Sequence, residues 1–304
     1  MNMYDIIVIG AGPAGLTAAI YGRRAEKTVL ILEKSTFGGQ ITHSPLVENY
    51  PGFPTASGNE IAEKMVEQAL AQGAEIELDT AIGITGSAGS FTVQGENGSY
   101  SGKTVILATG SRHRMLGLPR EMELTGEGVS YCAVCDGAFY KGKTVAVIGG
   151  GNSALQEALL LAAGCSKVYV VQNLPFFTGE ERLVQDLKAR ENVEIILSTV
   201  VTALLGDSLL EGIVLKNEET GTESRLAVDG IFVAIGQVAD NEPFAGAVAL
   251  NENGYIISGE DCIPQSEPGI FTAGDCRTKA IRQVTTATAD GAVAALAACR
   301  FLQQ

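Results

Sequence analysis

A pair of cysteines near the middle of the chain has the spacing of a redox site. Cys132 and Cys135 are separated by two residues, and Asp136 and Gly137 follow them directly. Cysteines at this spacing can form a disulfide within one tight turn, and the thiolate of such a pair can exchange with other disulfides. A carboxylate beside them can move the protons that this exchange requires. The sequence therefore predicts thiol–disulfide chemistry, with Cys132, Cys135 and Asp136 as the catalytic residues.

Other uses of a cysteine pair fit the sequence less well. A zinc site needs four ligands, and the chain has neither a second pair at this spacing nor paired histidines, because its two histidines are His43 and His113. No histidine follows Cys135, which excludes a c-type haem attachment site. We therefore predict no metal at this pair.

The composition of the 304-residue chain indicates a globular protein of about two domains. Hydrophobic residues make up 46% and charged residues 18% of the sequence. The net charge of −14 argues against nucleic acid and against an anionic membrane surface as partners. With no signal peptide and no apolar run of about 18 residues, we expect a cytoplasmic protein without a membrane span. In that reducing compartment a cysteine pair is more often catalytic than structural.

The N-terminal stretch has the pattern of a dinucleotide-binding unit. An apolar strand from Tyr4 to Ile9 runs into the turn Gly10–Gly15, and a helix and a second strand ending at Glu33 follow. The glycines of a GxGxxG turn let a pyrophosphate approach the helix N-terminus, and the acid accepts hydrogen bonds from ribose hydroxyls. The candidate nucleotide-binding residues are Gly10, Gly12, Pro13, Ala14, Gly15 and Glu33.

A second unit of the same kind begins after the cysteine pair. The strand from Thr144 to Ile148 leads into a GxGxxA turn that matches the first turn at a constant offset of 139 residues. Two such units imply two nucleotides, one held and one exchanged. At this offset Gln172 takes the place of Glu33, and no lysine or arginine between Gln172 and Glu181 would hold a ribose 2′-phosphate. The candidate residues of this second site are Gly149, Gly151, Asn152, Ser153 and Ala154.

Taken together, these residues resemble the low-molecular-weight thioredoxin reductases, a family of flavoproteins. The resemblance spans nearly the whole chain in the family's order. A Cys-x-x-Cys-Asp motif just before the second nucleotide unit separates this family from glutathione reductase-like relatives. Besides the two turns and the cysteine motif, the matching segments are Gly38-Gly39-Gln40, Asn49, Ala108-Thr109-Gly110, Ala234-Ile235-Gly236, Gly274-Asp275 and Arg282-Gln283.

The resemblance implies an α/β fold and a homodimer. It implies two Rossmann-like, three-layer ββα dinucleotide-binding domains, the second inserted into the first. The FAD-binding domain would comprise residues 1–114 and 243–304, and residues 115–242 would form a second nucleotide-binding domain that carries the cysteine pair. By the same resemblance, further FAD-binding residues would be Lys34, Gly39, Gln40, Asn49, Ala108, Thr109, Gly110, Gly274, Asp275, Arg282, Gln283 and Val284.

The implied activity is that of a thioredoxin-disulfide reductase. Electrons would pass from a donor to FAD, then to the Cys132–Cys135 disulfide and then to thioredoxin. Cys135 would be the thiol next to the flavin, Cys132 the thiol that attacks thioredoxin, and Asp136 the general acid and base. Two alternatives are a reductase of another disulfide partner, such as a glutaredoxin-like protein or a peroxidase component, and a non-catalytic FAD-binding interaction protein.

The electron donor stays open at this stage. Where the family has a His-Arg-Arg run and a further arginine for NADPH, this chain has Gln172, Asn173, Leu174 and Thr178. Three donors compete, namely NADH, NADPH and a protein such as reduced ferredoxin.

Some further expectations concern packing rather than chemistry. Ser57 and Glu60 predict a capping box, and the stretch from Leu226 to Ala234 is predicted to be one strand. We expect Phe176 and Phe177 to lie in the core. The same expectation holds for the dispersed cysteines, Cys165, Cys262, Cys276 and Cys299.

Overall fold

The structure, a computed structural model, describes residues 3–44 and 47–303. It divides the chain into two compact units. The first runs up to Arg112 and resumes at Val238, and the second is His113–Gln237. The first unit is thus built from both ends of the chain, and the second lies between them in sequence. In the described ranges, no helix combines the length and the apolarity that crossing a bilayer requires.

The described part of the first unit contains one mixed sheet of seven strands. Five strands pair in parallel, with Met3–Ile9 at their centre, and two further strands extend the sheet with antiparallel pairing. Most residues of the central parallel strands are apolar and buried on both faces of the sheet. This is the pattern of parallel strands, which helices cover on both sides. In spatial order the strands are Glu75–Leu78, Val29–Glu33, Met3–Ile9, Ser99–Leu107, Ser90–Gly95 and Ala81–Ser87, with Ile270–Thr272 also paired to Ser99–Leu107.

The register of this sheet brings the carboxyl ends of its parallel strands to one edge. Ile9 pairs with both Leu32 and Leu107, and Leu107 pairs with Thr272. Ligands of α/β proteins bind at this kind of edge. The segments that follow these strands are the sites predicted from the sequence.

The helices of the first unit start and pack as their residues dictate. The helix Pro13–Arg24 has proline at its first position, where no backbone N–H is needed. The helix Val284–Phe301 packs on it closely, since a β-carbon at Gly291 would collide with the Ala14 carbonyl oxygen. The capping box of the helix Gly58–Ala71 is confirmed, with Ser57 Oγ accepting from the Glu60 amide at 3.1 Å. Short 3₁₀ turns are Gly39–His43, Glu242–Phe244 and Gly274–Cys276.

The second unit, all of whose residues are described, has a parallel five-stranded sheet and an antiparallel three-stranded sheet. The parallel strands in spatial order are Val193–Ile196, Lys167–Val171, Thr144–Ile148, Gly230–Val233 and Val129–Ser130. The antiparallel strands are Thr199–Leu205, Gly212–Asn217 and Glu223–Ala227. The helices are Ala133–Asp136, Asn152–Ala162 and Glu181–Lys188, with a 3₁₀ turn at Gly137–Tyr140. Short strands at Arg112–His113 and Gln237–Val238 mark the two crossings of the chain.

Two predictions about this unit are wrong. The run from Leu226 to Ala234 is two strands in different sheets, Glu223–Ala227 and Gly230–Val233. At the break, the Asp229 carboxylate accepts a hydrogen bond from the Thr144 amide at 2.8 Å. Asp229 and Gly230 interrupt the apolar residues at this break, and the prediction of one strand overlooked that signal. Phe176 is 58% exposed rather than buried, and only Phe177 packs against the core.

The cysteines outside the pair occupy buried positions, which confirms that expectation. Cys165, Cys262, Cys276 and Cys299 are free and buried. Burial raises the pKa of the Cys165 and Cys299 thiols, and it raises that of Cys262 to about 12. Thiols with a raised pKa stay protonated near neutral pH and make poor nucleophiles. They therefore fill space in the cores rather than competing with Cys132 and Cys135.

The first glycine of each nucleotide turn has no room for a side chain. Gly10 has a φ of +108° and Gly149 a φ of +135°, and a β-carbon would collide with the carbonyl oxygen of Ala108 or of Ala234, respectively. The two units of the predicted internal repeat thus share the same close contact between the first glycine and a facing carbonyl oxygen.

Replacing Gly149 with alanine should destabilise the second unit by roughly 2–4 kcal/mol, because strained φ and a steric collision add together. The matched control is Gly142→Ala, at a φ of +74° with open space around it, which should cost about 1 kcal/mol from the backbone conformation alone. Thermal unfolding followed by circular dichroism compares the two variants. Equal unfolding midpoints would show that the contact with Ala234 does not matter.

Candidate active site

The cysteine pair lies in a short helical turn of the second unit. Cys132 and Cys135 are joined by a disulfide, with their Cα atoms 5.3 Å apart. The turn Ala133–Asp136 comes two residues after the edge strand Val129–Ser130. The Cys135 amide donates a hydrogen bond to Cys132 Sγ at 3.2 Å. A hydrogen bond to sulfur favours the thiolate, so the same contact would favour ionisation of Cys132 once the disulfide is reduced.

The carboxyl group of Asp136 is tied to the same turn through Ser130. Ser130 Oγ donates to Asp136 Oδ2 at 2.6 Å and accepts from the Cys132 amide at 3.1 Å. Burial raises the pKa of Asp136, although the Ser130 hydroxyl opposes the shift. A raised pKa makes a carboxyl group better able to hold a proton, as general acid–base catalysis requires. Sequence inspection did not single out Ser130, because a serine before a cysteine motif carries no signal of its own.

A second carboxyl group reaches this turn from the helix Asn152–Ala162. Glu157 accepts a hydrogen bond from the Ala133 amide. Its Oε2 atom is buried without a hydrogen-bond partner among the described residues, and burial raises the pKa of the side chain to about 7. The sequence analysis missed Glu157. The helical spacing could have revealed it. Glu157 lies three residues after Ala154 and four before Leu161, both buried, and this spacing places all three residues on one face of the helix.

The first unit has space and polar groups for FAD at the carboxyl edge of its sheet. Asp275 Oδ1 is buried with no hydrogen-bond partner in the described part of the chain, and burial raises the pKa of Asp275 to about 6. Such an acceptor suits a hydroxyl group of a ligand, since a buried polar atom left unpaired is costly. At Gly12, a β-carbon would meet only the Gly38 oxygen, at 4.0 Å, and no side chain caps the helix that starts there. The residues therefore fit the predicted cofactor.

Glu33 has a structural role in addition to the one predicted. Its Oε2 atom accepts from the Ala11 amide at 2.7 Å, and its Oε1 atom accepts from the Ser35 amide at 2.9 Å. The carboxylate thus fixes the glycine-rich turn, and each of its oxygens keeps a lone pair for a ribose hydroxyl.

A buried ion cluster supports the Gly274–Asp275 segment. Asp290 Oδ2 accepts from the Gly274 amide at 3.0 Å, from Arg277 Nε at 2.9 Å and from Lys279 Nζ at 2.9 Å. Arg277 is only 1% exposed. Burial by itself favours protonated Asp290, but the hydrogen bonds from Arg277 and Lys279 hold its pKa below the usual range. The sequence analysis missed this cluster, whose one local signal is an acid inside an alanine-rich helix.

The structure connects several of the predicted FAD-binding residues to one another or to their surroundings. Asn49 Nδ2 donates to Gln283 Oε1 at 3.4 Å, although the two are far apart in sequence. Gln283 precedes Val284, the first residue of the last helix. The Arg282 guanidinium lies over the Tyr255 ring, 4.3 Å from its centroid.

Other predicted residues have partners in the same unit. Lys34 forms an exposed ion pair with Asp240 at 2.9 Å. Thr109, which lies between Ala108 and Gly110, donates from Oγ1 to Asn241 Oδ1 at 2.6 Å. The sequence analysis also missed Asn241, which is fully buried and donates from Nδ2 to the carbonyl oxygens of Gly254 and Cys276, each at 2.8 Å. Gly39 and Gln40 begin a 3₁₀ turn.

In the second unit, the segment from Gln172 to Glu180 lies on the glycine-rich turn. Gln172 is buried against Gly150, where a β-carbon would collide with its side chain, and its Nε2 donates to the Phe176 carbonyl at 3.2 Å. The amides of Thr178 and Gly179 both donate to the Gly150 carbonyl, at 2.9 and 3.0 Å. The segment is thus held against the turn along most of its length.

The charge beside this turn is negative. Asn152, the first residue of the helix, accepts from the Glu180 amide at 2.7 Å and donates to Glu180 Oε1 at 3.1 Å. Glu180 is the one charged residue from Gln172 to Glu180. A ribose 2′-phosphate near this segment would therefore meet no cation.

Comparisons with known proteins agree with this architecture. A family model described as pyridine nucleotide-disulphide oxidoreductase matches residues 4–291. The thioredoxin reductase of Peptoclostridium litorale is 39% identical over 310 residues, which cover 100% of this chain and 98% of the relative. The crystal structure of thioredoxin reductase from Streptococcus pyogenes is 37% identical, with a TM-score of 0.94 over 99% of this chain and 98% of that one. A ferredoxin-flavin thioredoxin reductase from Clostridium acetobutylicum is 32% identical, with a TM-score of 0.53 over 99% and 98% of the two chains.

Replacing Glu157 with glutamine should stabilise the protein more at high pH than at low pH. The pKa is raised from 4.5 to about 7 in the folded state. The stability that Glu157 contributes is therefore present below pH 4.5 and is lost as the pH rises through 7. The wild type should lose up to about 3 kcal/mol relative to the variant between these limits.

Thermal unfolding midpoints of both proteins at pH 5 and pH 8 test this expectation. Glu191→Gln, which removes an exposed carboxylate of the same unit, should follow the wild type at both pH values. If Glu157→Gln shifted the midpoint equally at both pH values, ionisation of this side chain would not be linked to folding.

Proposed function

The chain belongs to the pyridine nucleotide-disulphide oxidoreductase family and, within it, to the low-molecular-weight thioredoxin reductases, and on that basis we propose that Cys132 and Cys135 are its redox-active pair. The protein is an FAD-dependent thioredoxin-disulfide reductase. The observation that carries the site assignment is the Cys132–Cys135 disulfide with the Asp136 carboxyl group held beside it by Ser130.

We assign FAD to the carboxyl edge of the first unit. The turn Gly10–Gly15 and Glu33 would hold its adenosine diphosphate part, and Asp275 would contact the ribityl or phosphate region of its chain, where it can accept a hydrogen bond from a hydroxyl group. The unpaired Asp275 oxygen and the open space at Gly12 support this assignment. When bound, FAD supplies the transfer of an electron pair from the donor to the disulfide, which no side chain can perform.

The reduced cysteine pair performs the exchange with thioredoxin. The Cys132 thiolate attacks the disulfide of thioredoxin, which forms a mixed disulfide and releases one thioredoxin sulfur. The Cys135 thiol then attacks Cys132 Sγ, which releases thioredoxin as a dithiol and restores the Cys132–Cys135 disulfide. Asp136 takes the proton from the attacking thiol and returns it to the departing sulfur. The hydrogen bond from the Cys135 amide to Cys132 Sγ supports this order of roles.

We infer that NADH is the electron donor. The retained GxGxxA turn and the uncapped start of the helix Asn152–Ala162 suit a pyrophosphate. The uncharged Gln172 and the lone charge at Glu180 give a 2′-phosphate no arginine or lysine to bind. Reduced ferredoxin is the second candidate. It is supported by the missing basic residues and by the similarity to a ferredoxin-flavin thioredoxin reductase.

We further propose that the enzyme is a homodimer and acts in the cytoplasm. Both proposals follow the family pattern implied by the sequence. A reducing compartment also suits a disulfide that must be reduced in every turnover.

Replacing Cys135 with serine should abolish thioredoxin reduction, by at least about 1,000-fold, because no thiol remains to resolve the mixed disulfide. The variant should retain bound flavin and should accumulate a covalent adduct between Cys132 and thioredoxin, visible on a non-reducing gel. Val134→Ala changes the exposed residue between the cysteines and serves as the control, with turnover kept. Turnover that survived in Cys135→Ser would overturn the assigned route.

Anaerobic reduction of the bound flavin by NADH, NADPH and reduced ferredoxin, measured side by side, tests the donor. We expect NADH to act about tenfold or more faster than NADPH at low concentration, since an arginine–phosphate contact contributes roughly 1.5–3 kcal/mol. Thr178→Arg should speed flavin reduction by NADPH selectively, whereas Ser87→Arg, at an exposed position of the first unit, should not. Rapid bleaching by low NADPH, or reduction by ferredoxin alone, would overturn the NADH assignment and leave the thioredoxin reductase activity in place.

A further inference from the structure

Ser130 is a buried hydroxyl group at the end of the strand that leads into the cysteine pair. It is 3% exposed and pairs with Phe232 of the neighbouring strand. With almost no access to solvent, its hydrogen bonds are made within the protein. The two that are present lead to the redox turn, one to Asp136 and one to Cys132.

In these two bonds the hydroxyl group donates to a carboxyl group and accepts from a backbone amide. The Cys132 N–H occupies one lone pair of Ser130 Oγ at 3.1 Å. The single hydroxyl proton is directed at Asp136 Oδ2, 2.6 Å away. A hydroxyl group has one proton to donate, so Oδ2 is an acceptor in this arrangement. Oδ1 is then the oxygen of Asp136 that is left to bind a transferred proton.

A local turn motif does not account for both contacts. Serine often accepts a hydrogen bond from the amide two residues later, and the bond from Cys132 has this form. The bond to Asp136 reaches six residues along the chain and does not belong to that motif. Ser130 therefore links the position of the carboxyl group to the backbone of the first cysteine.

We propose that Ser130 is a positioning residue for the exchange with thioredoxin: its hydroxyl group fixes Asp136 through Oδ2, so that Oδ1 carries the exchanged proton. This inference rests on the proposed acid–base role of Asp136. In the first step the bond between Cys132 Sγ and a thioredoxin sulfur forms and the thioredoxin disulfide breaks. Oδ1 takes the proton that Cys132 loses and passes it to the departing sulfur. In the second step Oδ1 accepts the proton of Cys135 as that sulfur attacks Cys132, and it passes this proton to the second thioredoxin sulfur.

These steps balance over one turnover. Two thiols of the enzyme become a disulfide, the thioredoxin disulfide becomes two thiols, and two protons pass from enzyme to thioredoxin. Asp136 ends in the state in which it began. Ser130 exchanges no proton with the substrate.

Two other titratable side chains lie on the elements packed against this turn. Glu157 is on the helix Asn152–Ala162, and Tyr140 is in the turn that follows Asp136. The pKa of Tyr140 is raised to about 12, by burial first and then by the charges of Asp136 and Glu127. Both side chains are unchanged in a Ser130 variant, so a difference between pH profiles reports on Asp136 or on the thiols of the same turn, and the double mutant with Asp136→Asn described below separates the two.

Ser130→Ala should lower kcat with thioredoxin about tenfold and leave KM nearly unchanged, a fraction of the 100-fold or more that acid–base groups contribute. In the wild type, the hydrogen bond from Ser130 favours ionised Asp136 and lowers its pKa. The variant lacks this bond, so the pKa seen in its pH profile should shift upward. Ser130→Thr keeps the hydroxyl group and should restore most of the rate. Flavin content and ferricyanide reduction, which does not need the disulfide, should match the wild type and would expose misfolding.

A double mutant separates this inference from the proposed function. Ser130→Ala should cause no further loss when added to Asp136→Asn, since the serine acts through that carboxyl group. A wild-type kcat and pH profile in Ser130→Ala, a threonine variant no better than alanine, or fully additive losses would overturn the role of Ser130. With Cys135→Ser still inactive, any of those results would leave the thioredoxin reductase assignment intact. Turnover in Cys135→Ser would instead remove the proposed site itself.

Discussion

Both units depend on the absence of a β-carbon at the first glycine of the strand-to-helix turn. At Gly10 and at Gly149 the backbone passes so close to the carbonyl oxygen of a facing residue that only glycine fits, and both φ angles are positive. This contact sets the direction of the helix that follows. In the first unit it leaves the helix N-terminus open at the edge of the sheet where Asp275 has an oxygen with no hydrogen-bond partner among the described residues. The proposed cofactor site therefore depends on backbone geometry as well as on its side chains.

In the second unit the same constraint reaches the cysteine pair. The helix that begins after Gly151 carries Glu157, and Glu157 accepts from the Ala133 amide between the two cysteines. The nucleotide turn and the redox turn are thus joined through one helix, and each follows a strand of the same five-stranded sheet.

Patterns that are local in sequence were predictable, and contacts between distant residues were not. The strand, glycine turn and acid that contain Gly10 and Glu33 follow from spacing, as does the capping box at Ser57, because each motif closes within a few residues or one βαβ unit. By contrast, Asp290 reaches back sixteen positions to the Gly274 amide, and Asn241 meets residues from three separate segments. No periodicity encodes such contacts, since they depend on tertiary packing. The exposed Phe176 has the same origin: its carbonyl is held by Gln172 while its ring is left outside.

The repeated units also show how one atom changes a site. Glu33 and Gln172 stand at equivalent positions and are both buried, at 7% and 5% exposure. The carboxylate has only acceptors, so it binds the amides of Ala11 and Ser35. The amide also has a donor, which binds the Phe176 carbonyl and draws the following segment onto the turn. Replacing the acid removes a charge that would repel a 2′-phosphate, but the segment from Gln172 to Glu180 supplies no lysine or arginine in exchange and carries the negative charge of Glu180. The proposed preference for NADH would then arise from missing attraction together with this charge, and an arginine in the segment would counter both.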